Sequence, residues 1–354
     1  MKLKINQTFI GDNCPTYFIA DIGANHDGNL ERAKKLIELC AKAGANAAKF
    51  QHFKAETIVS DYGFKKLKIK THQSNWKTDV FDVYKKASIN LNWTSELKKT
   101  CKKFNVDFMT SPYDLDYVDQ LNKYICAYKI GSGDITWPEI ISKISKKNKP
   151  TIIATGASNM KDVERAYKQI SKFNKKIIIM QCNTNYTGDK SNPKYINLNV
   201  IDQFKKKFKD KIIIGLSDHT FGHIAVLGAI AKGAKVIEKH FTDNNKGKGP
   251  DHHFAMNPKT WRQMIIATRE LENTLGDGIK KVEKNEINAM IVQQRSIRAG
   301  VQILKGQVIQ KKDLVCLRPK SKNGLQPYLI TEVLGKKAKT NIKKHEEINW
   351  KLIK

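Results

Sequence analysis

Short apolar, β-branched segments alternate with longer amphipathic segments along most of the chain, at a steady spacing. The apolar segments predict buried strands at residues 17–23, 46–52, 106–110, 127–131, 151–155, 176–182, 211–216 and 235–241. Amphipathic segments predict helices at residues 30–43, 95–104, 114–122, 159–173, 221–232 and 258–275. Eight such repeats predict a (β/α)8 barrel, in which the active site is built from the carboxyl ends of the strands.

Two regions depart from this rhythm. Residues 55–92 interrupt it after the second strand and predict a lid, with an extra helix at residues 80–86. After residue 278 the pattern changes to a charged helical segment (280–294), then short strands and turns, and a short helix at 326–334. We expect a barrel domain at 1–282, a linker at 283–294 and a β-rich domain at 295–354. A module of about 60 residues has only a marginal hydrophobic core, so we expect it to pack against another protein surface.

The charge of the chain is strongly positive but dispersed. The formal net charge is +30, and lysine supplies most of the 64 basic residues because arginine occurs only seven times. Nucleic-acid-binding proteins usually cluster their charge and use arginine for paired contacts. We therefore interpret the lysines as solvated helix faces and expect no nucleic-acid partner, with nucleic-acid binding as the remote alternative.

Composition also bears on the compartment. The six cysteines are scattered without a C-x-x-C pair, which is typical of reduced thiols. No apolar run is long enough to cross a bilayer, and the first residues lack the apolar core of a signal peptide. We expect a cytoplasmic protein without a membrane partner.

The most informative motifs are two short runs that end in histidine: GLSDHT carries His219 and VIEKHF carries His240. Each follows a predicted strand, and one helix-length segment separates them, so the two strands should be parallel neighbours. Neighbouring strands lie about 5 Å apart. Two imidazoles at their ends can bind one divalent ion and leave coordination positions open. The alternative is that each histidine closes its strand with a hydrogen bond.

Other strand ends carry polar side chains that could bind an anion. Lys49 and Gln51 share one side of the second strand by period-two alternation, and Lys129 lies in the fourth strand. Burying an unpaired ammonium is costly, so the two lysines predict a phosphate or carboxylate ligand. Taken singly, the hydroxyls of the TSP and SGD runs are also typical of helix caps. The other candidates at these ends are Thr110, Ser111, Ser132, Asp134, Asn183, Thr184, Tyr186 and Ser217.

A longer series of motifs runs along the chain in this order: IADIGANHDGNLERAKKLIELCAKAGANAAKFQ, TSPYD, YKIGSGD, CNTNYTG, GLSDHT, EKHFTD and GPDHHFAMNP. Together they resemble the motifs of bacterial sialic acid (N-acetylneuraminate) synthases. The tail, with QQRSIRAG, KGQVIQKKDLVCLRP and LGKKAKTNIKKHEEI, is similar to the antifreeze-like (SAF) domain of those enzymes. The resemblance covers nearly the whole chain and implies a (β/α)8 barrel followed by a small β-rich SAF domain.

The resemblance implies condensation of phosphoenolpyruvate with an N-acylated amino-sugar aldehyde, typically N-acetylmannosamine, to give N-acetylneuraminate and phosphate. It implies a divalent metal ion, manganese first and magnesium or cobalt as alternatives, bound by His219 and His240. The residues implied to hold phosphoenolpyruvate are Lys49, Thr110, Lys129, Ser132, Thr184 and Ser217. Those implied to contact the sugar are Gln51, Tyr186, Asp251 and Arg318.

For the catalytic residues, Lys129 would offset substrate charge, and a carboxylate near the metal would accept the proton of the attacking water. Asp134 and Asp21 are the two candidates for this base. Both depart from the family pattern, since relatives carry the longer glutamate in the AEIG motif and, in some members, after GSG. A side chain shorter by one methylene needs a closer approach or a bridging water.

Three further expectations follow. Related synthases use 2,4-diacetamido sugars to make legionaminic or pseudaminic acid, and this substrate class is the alternative to N-acetylmannosamine. A carbohydrate-binding protein on a decayed scaffold would require a broken site, whereas the metal-binding histidines, both lysines and Arg318 are all present. The resemblance also implies a homodimer in which the SAF module of one subunit reaches over the barrel of the other and places Arg318 on the sugar.

Overall fold

The computed structural model describes residues 1–67, 69, 73, 76 and 78–354. The chain divides into two compact units, Met1–Gly276 and Asp277–Lys354. Part of the insertion predicted at residues 55–92, namely residues 68, 70–72, 74, 75 and 77, lies outside the described residues.

The first unit is built around a closed barrel of eight parallel strands, counted over the described residues. A hairpin of two short strands, β1 (Lys2–Ile5) and β2 (Thr8–Gly11), precedes the barrel. The barrel strands are β3 (Tyr17–Asp21), β4 (Ala47–His52), β5 (Asp107–Pro112), β6 (Tyr128–Ile130), β7 (Thr151–Ala154), β8 (Ile177–Cys182), β9 (Ile213–Asp218) and β10 (Val236–His240). The last strand closes the barrel on the first, with Val236 opposite Tyr17 and His240 opposite Asp21. The (β/α)8 prediction is confirmed, and each predicted strand is present with its ends shifted by a residue or two.

Helices surround these strands. In the described residues of the first unit they are α1 (Leu30–Lys42), α2 (Ala55–Ile58), α3 (Asp61–Lys66), α4 (Val80–Ala87), α5 (Thr94–Lys103), α6 (Leu115–Leu121), α7 (Pro138–Ser145), α8 (Met160–Ser171), α9 (Val200–Phe208), α10 (Ile224–Ala231) and α11 (Pro258–Thr274). The helix predicted at 221–232 begins only at Ile224, because Gly222 adopts a left-handed φ of +68° that a helix cannot continue through. The extra helix predicted at 80–86 is present as α4.

Helix α1 illustrates how the local sequence specifies these elements. The Asn29 side chain accepts a hydrogen bond from the Arg32 amide at 2.9 Å and so caps the helix start. Its buried residues, Ala33, Leu36, Ile37 and Cys40, recur at helical spacing and pack into the layer between barrel and helices.

The β1–β2 hairpin was not predicted, and it closes the amino-terminal end of the barrel. Leu3, Ile5 and Ile10 are buried against the inward-facing apolar residues of the barrel strands. At the same end, the buried Tyr17 hydroxyl donates to the Asp107 carboxylate at 2.5 Å. The carboxyl ends of the strands therefore remain as the open end of the barrel.

The second unit is small and has its own core. Its regular elements in the described residues are a short helix α12 (Ile287–Gln293), the antiparallel strands β11 (Ser296–Ala299) and β12 (Leu314–Leu317), and a short helix α13 (Ile330–Val333). Its buried cluster comprises Ile297, Ala299, Ile303, Ile309, Leu325, Val333, Ala338, Ile342, Ile348 and Ile353. The helix predicted at 280–294 is shorter than expected: only Ile287–Gln293 is α-helical, and a single 3-10 turn at Lys284–Glu286 precedes it.

Among the helices described, none is both long and apolar enough to cross a membrane.

Candidate active site

A cavity of about 480 Å³ opens at the carboxyl ends of the barrel strands. Most residues that the sequence predicted for the site line it: Asp21, Lys49, Gln51, Lys129, Ser132, Asp134, Thr184, Tyr186, Ser217, His219, His240 and Asp251. Side chains that are far apart in sequence meet here because parallel strands of a barrel all present their carboxyl ends to the same opening. The structure thus brings these residues to one cavity, and their roles stay predictions.

The structure contradicts the assignment of Thr110 to phosphoenolpyruvate. On β5 the side chain of Met109 points into the barrel, so Thr110 points outward and Ser111 points inward by strand alternation. The fully buried Thr110 hydroxyl donates to the Phe50 carbonyl at 2.9 Å and lies 2.7 Å from a ring nitrogen of His52. Ser111 is therefore the hydroxyl of the TSP run that faces the barrel interior.

Arg318 belongs to the second unit. Its Nε donates to the Gln293 carbonyl at 2.7 Å, and its contact with the sugar stays a prediction.

Four buried side chains of alternating charge form one part of the cavity wall. Lys49 Nζ lies 2.7 Å from Asp21 Oδ2 and 4.0 Å from Glu238 Oε2, and Lys129 Nζ lies 3.2 Å from Glu238 Oε1. The side chains of all four are at most 5% exposed. The two lysines thus have carboxylate partners inside the protein, and an anionic substrate must share them with Asp21 and Glu238.

Glu238 was missed at the sequence level, although a signal existed. It precedes His240 by two residues on β10, so both side chains face the same side of the strand. Burying an unpaired carboxylate in the predicted strand VIEKHF would be costly, just as burying an unpaired lysine would be. The reasoning applied to Lys49 and Lys129 therefore also applied to Glu238. In the structure Ser217 Oγ donates to Glu238 Oε1 at 3.1 Å.

The two candidate bases differ in their pKa values. Burial by itself raises the pKa of Asp21, but the ammonium of Lys49 and the nearby His240 outweigh it and bring the pKa down to about 2. Gln51 Nε2 also donates to Asp21 Oδ2 at 3.1 Å. For Asp134, burial raises the pKa to about 6 against the opposing effect of Lys129. Asp21 is therefore a permanent anion at neutral pH, whereas Asp134 can exchange a proton.

The histidine pair has the properties of a metal site with open positions. The ring centroids of His219 and His240 are 5.5 Å apart. Nδ1 of His219 lies 2.9 Å from the Asn183 carbonyl, which can only accept, so Nδ1 carries the proton and Nε2 keeps its lone pair. His240 Nδ1 is buried, lies 3.6 Å from Asp251 Oδ2 and has no hydrogen-bond partner among the described residues. The alternative, in which each histidine only forms a hydrogen bond at the end of its strand, therefore accounts for His219 and not for His240.

The number of candidate protein ligands at this pair is small. Over the residues that the structure describes, no group of three or more His, Cys, Asp or Glu side chains is arranged to hold a metal ion. An ion bound by the two imidazoles would depend on substrate and water for its remaining positions.

The remaining wall of the cavity combines aromatic, apolar and polar side chains. Tyr186 packs edge-on against His219 at 4.4 Å between ring centroids, and burial raises its pKa well above the usual value, so it stays a neutral phenol. Farther out, the insertion predicted after the second strand contributes Ile58, Val83 and Ala87. Phe53 packs beside Tyr84 on the same side, with ring centroids 5.5 Å apart. The insertion therefore supplies an apolar surface to the cavity.

Comparison with known proteins agrees with this arrangement. The chain matches the NeuB family model over residues 36–280 and the SAF domain model over residues 294–354. It is 36% identical to the N,N'-diacetyllegionaminic acid synthase of Campylobacter jejuni, over 94% of this chain and 98% of that protein. It is 31% identical to a pseudaminic acid synthase of the same species, over 92% of this chain and 93% of that protein.

A solved structure is similar as well. It is that of the N-acetylneuraminic acid (sialic acid) synthetase of Leptospira borgpetersenii in complex with citrate, with a TM-score of 0.72 and 26% identity, over 82% of this chain and 95% of that one. The barrel, its polar cavity and these relatives define an enzyme of the nonulosonic acid synthase class. The chain belongs to the NeuB family, and it carries a SAF domain at its carboxyl end.

Proposed function

We propose that the enzyme condenses phosphoenolpyruvate with the open-chain aldehyde of N-acetylmannosamine, giving N-acetylneuraminate and phosphate. The observation that carries the proposal is the position of the buried lysine–carboxylate set next to the His219–His240 pair in one cavity. An anion can bind at the first, and an aldehyde can be activated beside the second.

The anion-binding groups are those that can share charge or donate hydrogen bonds to phosphoenolpyruvate. Lys49 and Lys129 offset its phosphate and carboxylate throughout the reaction. Because burial and the two carboxylates act on Lys49 in opposite directions, with Asp21 and Glu238 prevailing, the pKa of Lys49 is raised and it remains cationic. The hydroxyls of Ser132, Thr184 and Ser217 line the same cavity.

A divalent ion, manganese first with magnesium or cobalt as alternatives, would be held by His219 and His240. When bound, it supplies a Lewis acid that polarises the aldehyde oxygen. The proton on His219 Nδ1 is held by the Asn183 carbonyl, which keeps the opposite ring nitrogen available.

In the reaction, C3 of phosphoenolpyruvate attacks the aldehyde carbon, and cationic character develops at C2. Water adds to C2 and passes a proton to the Asp134 carboxylate, whose pKa of about 6 suits a base at neutral pH. The resulting tetrahedral phosphohemiketal loses phosphate by cleavage of the bond between C2 and the phosphate-bearing oxygen, and its C2 hydroxyl becomes the keto group. Of the two protons of the water, one ends on the former aldehyde oxygen and the other leaves with phosphate. Asp21 stays ionised throughout and holds Lys49 in place.

The alternative substrate class is the 2,4-diacetamido-trideoxyhexoses of legionaminic and pseudaminic acid synthesis. The outer wall carries the apolar side chains of Phe53, Ile58 and Val83, and also Gln73 and Tyr84, which bear hydrogen-bonding groups. A second acetamido methyl and a deoxy carbon would cover the apolar groups, whereas a polyhydroxy chain would use the polar ones. The relatives from Campylobacter jejuni are named for products of this class.

The enzyme works in the cytoplasm as a homodimer, with Arg318 of each chain reaching the sugar site of its partner. Support for a partner surface comes from α12, which has no buried side chain and exposes Ile287 and Ile291, four residues apart on one face.

The deciding experiment measures phosphate release from phosphoenolpyruvate over a panel of aldehydes with manganese present. The panel contains N-acetylmannosamine, its 6-phosphate and the two diacetamido sugars, and His240→Ala serves as the inactive control. Release with one sugar, at a kcat/KM at least tenfold above the others, identifies the substrate. No release with any of them contradicts the proposal.

A further inference from the structure

One buried ion pair lies in the largely apolar layer between the barrel strands and the helices. The outward-facing side chains of β9 and β10 pack into the apolar layer beneath the helices, as Ile214, Leu216 and Ile237 do. Asp218 and Lys239 face outward in the same layer, directly opposite each other in the strand register. Their side chains are 0% and 1% exposed. The catalytic cavity is not lined by either residue.

The partners of Lys239 lie on both sides of His219 in the chain. Lys239 Nζ is 2.5 Å from Asp218 Oδ2 and donates to the Thr220 carbonyl at 2.7 Å. Asp218 Oδ1 in turn accepts from the Thr220 amide at 3.0 Å and from the Thr220 hydroxyl at 2.9 Å. The residues before and after His219 are thus hydrogen-bonded to each other and to Lys239 on the neighbouring strand.

We propose that Lys239, Asp218 and Thr220 form a positioning clamp that fixes the backbone of His219, and with it the direction of the imidazole. The same lysine immediately precedes His240, so one ammonium group links the strand ends that carry both histidines. The identity of the ion rests on the proposed function, whereas the clamp itself is defined without it.

The cost of burying charges supports a positioning role. Well-packed apolar side chains at two such sites usually stabilise a protein as well as a buried ion pair does. An ion pair has a fixed geometry, however, and here the partners of Lys239 are Asp218 and Thr220, the residues directly before and after His219. Groups that orient a metal ligand in this way typically change metal affinity by about 10- to 100-fold when they are removed.

The test compares clamp variants in the full-length, metal-free protein. Lys239→Met removes the ammonium at similar length, Lys239→Met with Asp218→Asn leaves no unpaired buried charge, and Thr220→Val removes one hydroxyl without touching either charge. Calorimetric titration with manganese chloride should show affinity reduced at least about tenfold in the two lysine variants and a few-fold in Thr220→Val. Phosphoenolpyruvate affinity should change less than twofold, and saturating manganese should restore kcat.

A matched control separates positioning from general loss of stability. Tyr17→Phe removes another buried bond, to Asp107 at the closed end of the barrel. Its manganese affinity should equal that of the wild type even if its melting temperature falls as far. Equal losses of affinity in Tyr17→Phe and the clamp variants would overturn the proposal, and so would wild-type affinity in the clamp variants.

A second measurement needs no metal. Nitrogen-15 spectra of histidine-labelled protein, assigned with His219→Gln, should show the Nδ1-protonated tautomer of His219 in the wild type and a mixture of tautomers in the clamp variants. If the wild type binds no manganese, the metal assignment of the proposed function fails, while the clamp is still decided by these spectra. An unchanged tautomer in every clamp variant would overturn it.

Discussion

Replacing Asp134 with asparagine should remove the proton acceptor of the water-addition step while leaving substrate binding nearly intact. Burial raises the pKa of Asp134 to about 6, so the carboxylate form is present at neutral pH and is lost on acidification. The alternative base, Asp21, has a pKa of about 2 because Lys49 lies beside it. If Asp21 were the base, the rate would be nearly independent of pH above about pH 4, since a carboxyl two units above its pKa is almost fully ionised.

The expected magnitude follows from these pKa values. With a pKa of about 6, roughly a tenth of Asp134 is ionised one pH unit below it and about nine-tenths one unit above it. The kcat of the wild type should therefore rise about tenfold between these two pH values. Bound phosphoenolpyruvate adds negative charge, which raises the pKa of a nearby carboxyl further, so the midpoint should lie at or above 6. Asp134→Asn should reduce kcat by about 10²- to 10⁴-fold.

The assay follows phosphate release between pH 5 and pH 8, with manganese and both substrates saturating, so that kcat reports only groups in the complex. Asp134→Glu is the control, since it keeps a carboxyl group and should retain the rising limb at reduced rate. Circular dichroism at each pH confirms that the protein stays folded. A flat kcat profile in the wild type, or an Asp134→Asn variant with normal kcat and the same limb, would refute the assignment.

Three further predictions concern the metal, the anion site and the second unit. His219→Ala or His240→Ala should abolish turnover with an unchanged circular dichroism spectrum, and EDTA should inactivate the wild type until manganese, cobalt or magnesium is added; full activity in metal-free enzyme contradicts this. Lys129→Met should raise the KM for phosphoenolpyruvate far more than the KM for the sugar. It should also destabilise the fold by about 3–5 kcal/mol, because Glu238 loses one of its buried cationic partners. An unchanged KM for phosphoenolpyruvate would show that Lys129 does not bind it. Arg318→Ala should weaken sugar binding alone, and mixing it with His240→Ala should restore activity through heterodimers with one intact site; no recovery after subunit exchange, verified by mass, means that each barrel uses its own tail.

The barrel was predictable because its strands are short and mostly apolar, several of them rich in β-branched residues, and most of its helices have a clear period. The β1–β2 hairpin escaped notice because its strands are only four residues long. A signal was nevertheless available: Leu3 and Ile5 alternate with polar residues, and Asn6, with a φ of +48°, begins a two-residue connection typical of hairpins.

The site was predictable where one strand could be interpreted alone. Period-two alternation correctly placed Lys49 and Gln51 on one side of β4. Thr110 was assigned from the resemblance and not from alternation. The sequence offers two adjacent hydroxyls, and only the direction of Met109 shows which of them faces inward. The difference between Asp21 and Asp134 could not be predicted at all, since it depends on the distance to Lys49 and on burial in the folded barrel.

The pairing of β3 with β10, which closes the barrel, has a consequence for how the enzyme folds. Tyr17 and Val236 become neighbours only after more than two hundred intervening residues have been synthesised. His240 meets Asp21 when this pairing closes the ring, whereas His219 is already beside it through the direct pairing of β9 with β10. An ion held by both histidines would stabilise the folded chain by an amount that grows with metal concentration. In such an enzyme, supply of the metal would affect the amount of folded protein as well as turnover.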